Sequence, residues 1–394
     1  MEEIVTPKKF ELPFPMSEFQ DRLRRVREAM QLVGIDVQVV THPRDFYWLT
    51  GTRLAGKENP GWVIVWDGDS IGVVRHLEVS THQCCSTLKN WVEYPDEGPI
   101  NPYDPVYYTT ETLKDLNLDK KTIGMNFRIN NVTDYHRFKK LLPDAEIRDF
   151  RVERIRIIKS KLEQECQFKA AKANQDALLA TINEMEIGWS ERDIMERIAK
   201  YHEKYLGKDY ELSGGMYQVG GHVMHMHVLR WPPERAAQKI KQGDLLYLEP
   251  GTYVKRYVGS MIRMIYFGDP PPQVKRSAEA SIEALNRAIE ATTPGKTSHE
   301  VDKAARDYFV KMELDCQSRI GYCNGIDWSQ GWVMSVEPNN PLILVPGHIF
   351  HYIAINYLPG WGYIGASEQV LVTEDGHEVL ADRDRTCPRE FFIK

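Results

Sequence analysis

Two stretches of this 394-residue chain carry the same punctuation, 107 residues apart. In the first, Ser160-x-x-Glu163 forms a capping box: the serine accepts from an N–H that has no partner inside the helix, and the glutamate reaches back to the cap. It opens a helix over about 161–186, with Ala171, Leu178, Ile182 and Met185 as its apolar stripe. Gly188 stops that helix, and Ser190 caps a second one carrying Ile194, Ile198 and Tyr205. In the other stretch, a helix from Ser277 to about Thr292 carries Ile282, Leu285 and Ile289. Pro294-Gly295-Lys296 breaks it, and Thr297 or Ser298 caps another with Val301, Ala305, Phe309 and Met312.

β-rich sequence follows each helix pair. After the first come strands at Leu245–Glu249, Tyr253–Val258 and Met261–Phe267; after the second, strands near Ile349–Ile355 and Gln369–Thr373. A helix–helix–sheet unit present twice predicts an α+β domain with a pseudo-twofold duplication and a pocket between its two sheets. The preceding half differs. Ser17 is placed to cap a helix over about 18–33, the strand Asp36–Val40 follows, and Asp67-Gly68-Asp69 joins Trp62–Trp66 to Ile71–Arg75 as a hairpin. Helix–strand alternation over 110–150 completes an α/β domain without a catalytic cluster. The expected division is therefore an α/β domain over 1–155 and an α+β catalytic domain over 156–394, in line with a length too great for one ordinary core.

Composition removes several classes of function. A net charge of −6 argues against a broad positive face for nucleic acid. No run of about 18 apolar residues is present, so no membrane span is expected, and MEEIVTPKKFELPFP lacks the apolar region of a secretory signal. The six cysteines include no C-x-x-C pair, which predicts no cysteine zinc site and a reduced cytoplasmic setting.

Candidate chemistry sits in the second half. His222, His225 and His227 crowd into GGHVMHMHVLRW, where at strand spacing 225 and 227 share a face. Such histidines bind metals when other ligands are near, orient substrates, shuttle protons or simply cap loops. Glu249 ends an apolar strand, where partial desolvation raises a carboxyl pKa and suits it to acid–base work; a plain turn residue before Pro-Gly is the alternative. Glu368 has the same ambiguity, and His348 and His351 lie on or beside a strand. Arg263, alternating with Ile262 and Met264, has the geometry to hold a carboxylate.

These landmarks carry a family resemblance. Ile157-Ile158-Lys159-Ser160-x-x-Glu163, Gly243-Asp244, Arg256-Tyr257-x-Gly259-x-x-x-Arg263, Pro294-Gly295-x-Thr297, Gly321-Tyr322-x-x-Gly325, Val345-Pro346-Gly347 and Val372-Thr373-Glu374-Asp375-Gly376 resemble the creatinase/aminopeptidase P/methionine aminopeptidase family. The resemblance implies the pita-bread fold, with the smaller domain of creatinase and prolidase in front. Metallopeptidases of that family hold two metal ions on two aspartates, a histidine and two glutamates. Position by position this chain has Glu249, Ser260, Tyr322, Ile353 and Ser367 there. The resemblance therefore implies no metal and no other cofactor, and points to creatinase and, more closely, to ectoine hydrolase, which opens a cyclic amidine. Ile262 stands where creatinase places its catalytic glutamate.

Amidines and guanidines are planar cations that need a carboxylate partner, a base or nucleophile, and an acid for the leaving nitrogen. Glu249 is the candidate base or nucleophile, His225 or His227 the proton donor, and Glu368 or His351 a second polar contact. Arg230 or Arg263 would hold a substrate carboxylate, with His222 and Tyr257 as further contacts, while Tyr322, Trp332 and Trp361 would wall the cation. The expected activity is metal-independent hydrolysis of a C–N bond in a small metabolite by a homodimer. The alternatives are an Xaa-Pro metallopeptidase or lyase on the same fold, and a binding module without catalysis.

Overall fold

The computed structural model describes residues 11–52, 61–95, 104–218, 238–316, 318–328, 334–382 and 389–394, the side chains of 212–218 excepted. The chain forms two compact units, Met1–Arg156 and Ile157–Lys394. No described helix is long and apolar enough to cross a membrane.

In the first unit, helix α1 (Met16–Leu32) is followed by β1 (Val37–Val40), α2 (Pro43–Thr50), β2 (Trp62–Trp66), β3 (Ser70–Arg75), α3 (Val79–Cys85), β4 (Trp91–Tyr94), α4 (Pro105–Asp115), β5 (Thr122–Met125), α5 (Val132–Leu141) and β6 (Glu146–Asp149). The six strands form one sheet in the order β4-β3-β2-β1-β5-β6, its apolar face built on Val37, Val39, Ile64, Val73 and Ile123. Ser17 does not cap α1. Pro15 holds that position, and the helix begins one residue before the serine.

The second unit holds the duplicated arrangement. Helices α6 (Lys161–Glu184) and α7 (Glu191–Leu206) precede β7 (Glu211–Gln218), β8 (Leu245–Val254), β9 (Tyr257–Ser260) and β10 (Arg263–Tyr266). Helices α8 (Pro272–Ala291) and α9 (Ser298–Lys311) precede β11 (Gly321–Cys323), β12 (Ser335–Val336), β13 (Ile349–Leu358), β14 (Gly362–Val372) and β15 (His377–Val379); β16 (Phe392–Ile393) closes the chain. Capping boxes form at Ser160/Glu163, Ser190/Asp193 and Thr297/Glu300. Helix α8 starts before Ser277 because Pro272 suits the first helical turn, where a missing N–H costs nothing.

Two sheets result, β16-β10-β8-β7 with β9 added to β8, and β12-β11-β13-β14-β15. Strand β8 does not stop at Pro250: it continues to Val254, with the Pro250 carbonyl satisfied by Asn174 Nδ2 at 2.9 Å. It then reverses into β9 through Lys255 and Arg256, whose φ of 47° and 66° make a tight hairpin. Gly259 lets β9 lie against α6; a Cβ there would sit 2.1 Å from the Ala170 carbonyl carbon. The two sheets meet at Ile262 and Ser367, which form an isolated antiparallel bridge.

Candidate active site

Strand register decides what faces the junction. Tyr247 and Glu249 share one face of β8, and Leu246 and Leu248 the other. Ser260 pairs with Gly251, two residues from Glu249, and so lies on the Glu249 side. On the other sheet Tyr322 pairs with His351, His351 with Gln369, and Ile353 with Ser367, which puts all five on one face. The faces are tied together: the Ser260 N–H donates to Gln369 Oε1 at 2.9 Å, the Ile262 N–H to Ser367 Oγ at 2.7 Å, and Asn324 Nδ2 to Ser260 Oγ at 3.3 Å. The sequence-aligned positions 249, 260, 322, 353 and 367 thus line one cleft.

Glu249 is 2% exposed. Burial pushes its carboxyl up to about 8, moderated by the Tyr247 hydroxyl, which donates to Oε2 at 3.2 Å. No basic side chain among the described residues compensates its charge. The carboxyl in turn raises both Tyr247 and Tyr322, already pushed up by burial. His351 bonds Ser367 Oγ through Nε2 at 2.7 Å and the Tyr322 hydroxyl through Nδ1 at 3.2 Å. Burial, and then the Arg319 charge, lower its pKa to about 3, so it is a neutral imidazole at physiological pH. The Trp328 ring stands edge-on to it at 5.9 Å, and the Arg319 guanidinium lies 4.5 Å from the centre of the Tyr322 ring.

Three expected participants are committed elsewhere. Arg263 pairs with Leu248, so it points to the face opposite Glu249. Its Nη1 donates to the Ile262 and Ser367 carbonyls, both at 2.9 Å, and its Nη2 to Glu368 Oε1 at 2.5 Å. Arg263 and Glu368 are both fully buried and staple the sheets; they are not presented to a substrate. Tyr257 is likewise structural, because its buried hydroxyl donates to Glu163 of the α6 capping box. Trp361 sits in the β13–β14 turn against Tyr266, 6.1 Å between ring centres, at the far end of the hairpin from Ser367. His222, His225, His227, Arg230 and Trp332 lie outside the described residues.

The sequence reading missed Tyr247, Trp328, Arg319 and the linking role of Ser367. Strand alternation pointed to Tyr247, two residues before Glu249. Nothing local marks Trp328, which reaches His351 from a loop.

A fold of two sheets flanked by duplicated helix pairs, following a smaller α/β domain in the sequence, defines the creatinase/prolidase class of hydrolases. Residues 165–374 match the sequence model of metallopeptidase family M24, and residues 22–158 that of the creatinase/prolidase N-terminal domain. The chain belongs to family M24. It is similar to an ectoine hydrolase of Halomonas elongata, 28% identical over 97% of this chain and 99% of that protein. An Xaa-Pro dipeptidase of Pyrococcus furiosus is 26% identical over 93% of this chain and 99% of that protein. The solved Xaa-Pro dipeptidase from Bacillus anthracis superposes with a TM-score of 0.79 at 20% identity, over 95% of this chain and 100% of that one.

The two-metal centre of the family's peptidases does not fit the side chains in this cleft. Among the described residues of the cleft, Glu249 alone offers a carboxylate. The Ser260 and Ser367 hydroxyls are engaged by Asn324, Ile262 and His351, Tyr322 is held neutral by burial, and Ile353 has no donor atom. Hard divalent ions need several charged oxygen or imidazole ligands together. Among the described residues, no three of His, Cys, Asp or Glu form such a group.

Proposed function

We propose that this member of family M24 hydrolyses a C–N bond in a small amidine- or guanidine-like metabolite, with ectoine the first candidate, and that it does so without a metal. The observation that carries the reading is Glu249: a fully buried carboxyl, raised to about 8, facing a cleft with no compensating cation among the described residues. Such a group is poised for a ligand that brings the missing positive charge. An amidinium beside it favours the ionised form, so binding itself generates the carboxylate. That carboxylate then removes a proton from water, or attacks the amidinium carbon directly. Burial strengthens both the ion pair and the reaction's dependence on it. The Trp328 and Tyr322 rings supply flat surfaces suited to a planar cation.

The similarity to an ectoine hydrolase over nearly the whole chain supports this reading, and the poor fit of the donor set to two metals disfavours the peptidase alternative. The working unit is read as a homodimer acting on a small molecule, with no part for nucleic acid or membrane. The test is turnover of ectoine, hydroxyectoine, creatine and proline dipeptides, with and without chelator. Chelator-insensitive cleavage of an amidine or guanidine is the expected result. Proline-dipeptide cleavage that chelator abolishes and manganese restores would overturn the reading in favour of a dipeptidase.

A further inference from the structure

Four groups across the sheet junction form one hydrogen-bonded chain: the Ile262 N–H, the Ser367 hydroxyl, the His351 imidazole and the Tyr322 phenol. The Ile262 N–H can only donate, so Ser367 Oγ accepts from it. Two arrangements of the remaining protons are then open. In one, Tyr322 donates to His351 Nδ1, and Nε2–H donates to Ser367. The serine oxygen then accepts twice, and its own proton has no acceptor among the described residues at a fully buried position. Leaving such a proton without a bond carries a desolvation penalty. In the other, Ser367 donates to Nε2, Nδ1–H donates to Tyr322 Oη, and every group up to the phenol oxygen is satisfied. The phenolic proton is then turned away from His351. Tyr322, 9% exposed, stands on the cleft face opposite the Glu249 wall, and its phenol senses the Glu249 charge.

We infer that Ser367 and His351 are positioning residues that hold the Nδ1–H tautomer and so make Tyr322 a fixed hydrogen-bond donor into the cleft, serving the nitrogen of the scissile C–N bond. The tautomer stands on geometry alone, whereas the role toward nitrogen rests on the proposed C–N hydrolysis. When oxygen adds to an amidinium carbon, a C–O bond forms and the C=N π pair becomes a lone pair on nitrogen. The Tyr322 O–H bonds to that pair and keeps its proton. On the water route, the proton that Glu249 takes from water passes to the nitrogen as the C–N bond breaks, leaving an amide and an amine. A donor already aimed at developing charge lowers the barrier because it needs no reorganisation during reaction.

Neutron diffraction from deuterium-exchanged crystals of the full chain at neutral pD tests the tautomer directly. The expected result is a deuteron on His351 Nδ1, one from Ser367 directed at Nε2, and the Tyr322 deuteron directed into the cleft. A deuteron on Nε2, or a phenolic deuteron directed at Nδ1, overturns the inference whatever the substrate. Kinetics with ectoine test the role: Tyr322→Phe lowers kcat about 100-fold with little change in KM, and Ser367→Ala lowers kcat about tenfold with the same split. An unchanged kcat in Tyr322→Phe overturns it. Deuterons as expected in a protein that hydrolyses no amidine or guanidine uphold the tautomer and sink the C–N hydrolase reading instead.

Discussion

Glu249→Gln should make the protein more stable and inactive at once. The unfolded carboxyl titrates near 4.5 and the folded one near 8. Between those values the folded state binds one more proton than the unfolded state. The group's contribution to stability is thus fully present below pH 4.5 and is lost as pH rises through 8. The slope is about 1.4 kcal/mol per pH unit, so at pH 7 keeping this carboxyl buried costs on the order of 3 kcal/mol. Glutamine has the same shape, keeps an oxygen for the Tyr247 hydroxyl and does not ionise. The variant should therefore gain stability over the native protein at pH 7, and the gap should widen from pH 5 to pH 8 by about 1.4 kcal/mol per pH unit. Urea titrations at pH 5, 6, 7 and 8, read by hydrogen exchange in β8, β13 and β14, isolate the second unit. A gap that stays constant with pH would refute the elevated pKa and, with it, the role of Glu249 as a carboxyl awaiting a cation. Retained turnover in the variant would remove it from the chemistry.

Acid should destabilise the second unit. Burial holds His202, His348 and His351 each near 3, below the usual 6.5, so their stabilising contribution is present above pH 6.5 and falls away toward pH 3. At pH 5 the three together cost about 6 kcal/mol, offset by about 2 from Glu249, and a Tm that is flat between pH 6.5 and 5 would contradict this. Arg263→Met strands the buried Glu368 carboxylate and should cost about 3–5 kcal/mol in urea denaturation; adding Glu368→Gln should recover most of it, and a loss under about 1 kcal/mol in the single variant would show the staple to be unimportant. Light scattering after size exclusion should give twice the mass of one chain, and a monomer at micromolar concentration would remove the dimer.

The helix pairs were legible because their signals are local. A capping box is decided within four residues: the box at Ser160 and the cap at Ser190 formed where the sequence placed them, and of Thr297 and Ser298 it is Thr297 that caps. The place of Glu249 at the end of an apolar run carried its burial, and strand signals carried His351. Partner choice was not legible. Arg263 has a carboxylate-binding side chain in any strand, yet pairing with Leu248 turns it from Glu249, and its partner Glu368 lies 105 residues away. The same holds for Tyr257, whose hydroxyl finds Glu163 across 94 residues.

The sequence by itself settled the helix pairs and most of the strands, since these depend on residue identity and short-range spacing; Glu249, Ser260, Tyr322, Ile353 and Ser367 were matched to the family's ligand positions through the resemblance. The tertiary structure decided which polar groups are spent on holding the sheets together and which face the cleft. That decision rests on strand register, where a shift of one residue moves a side chain to the opposite face, and register is fixed only when distant strands pair.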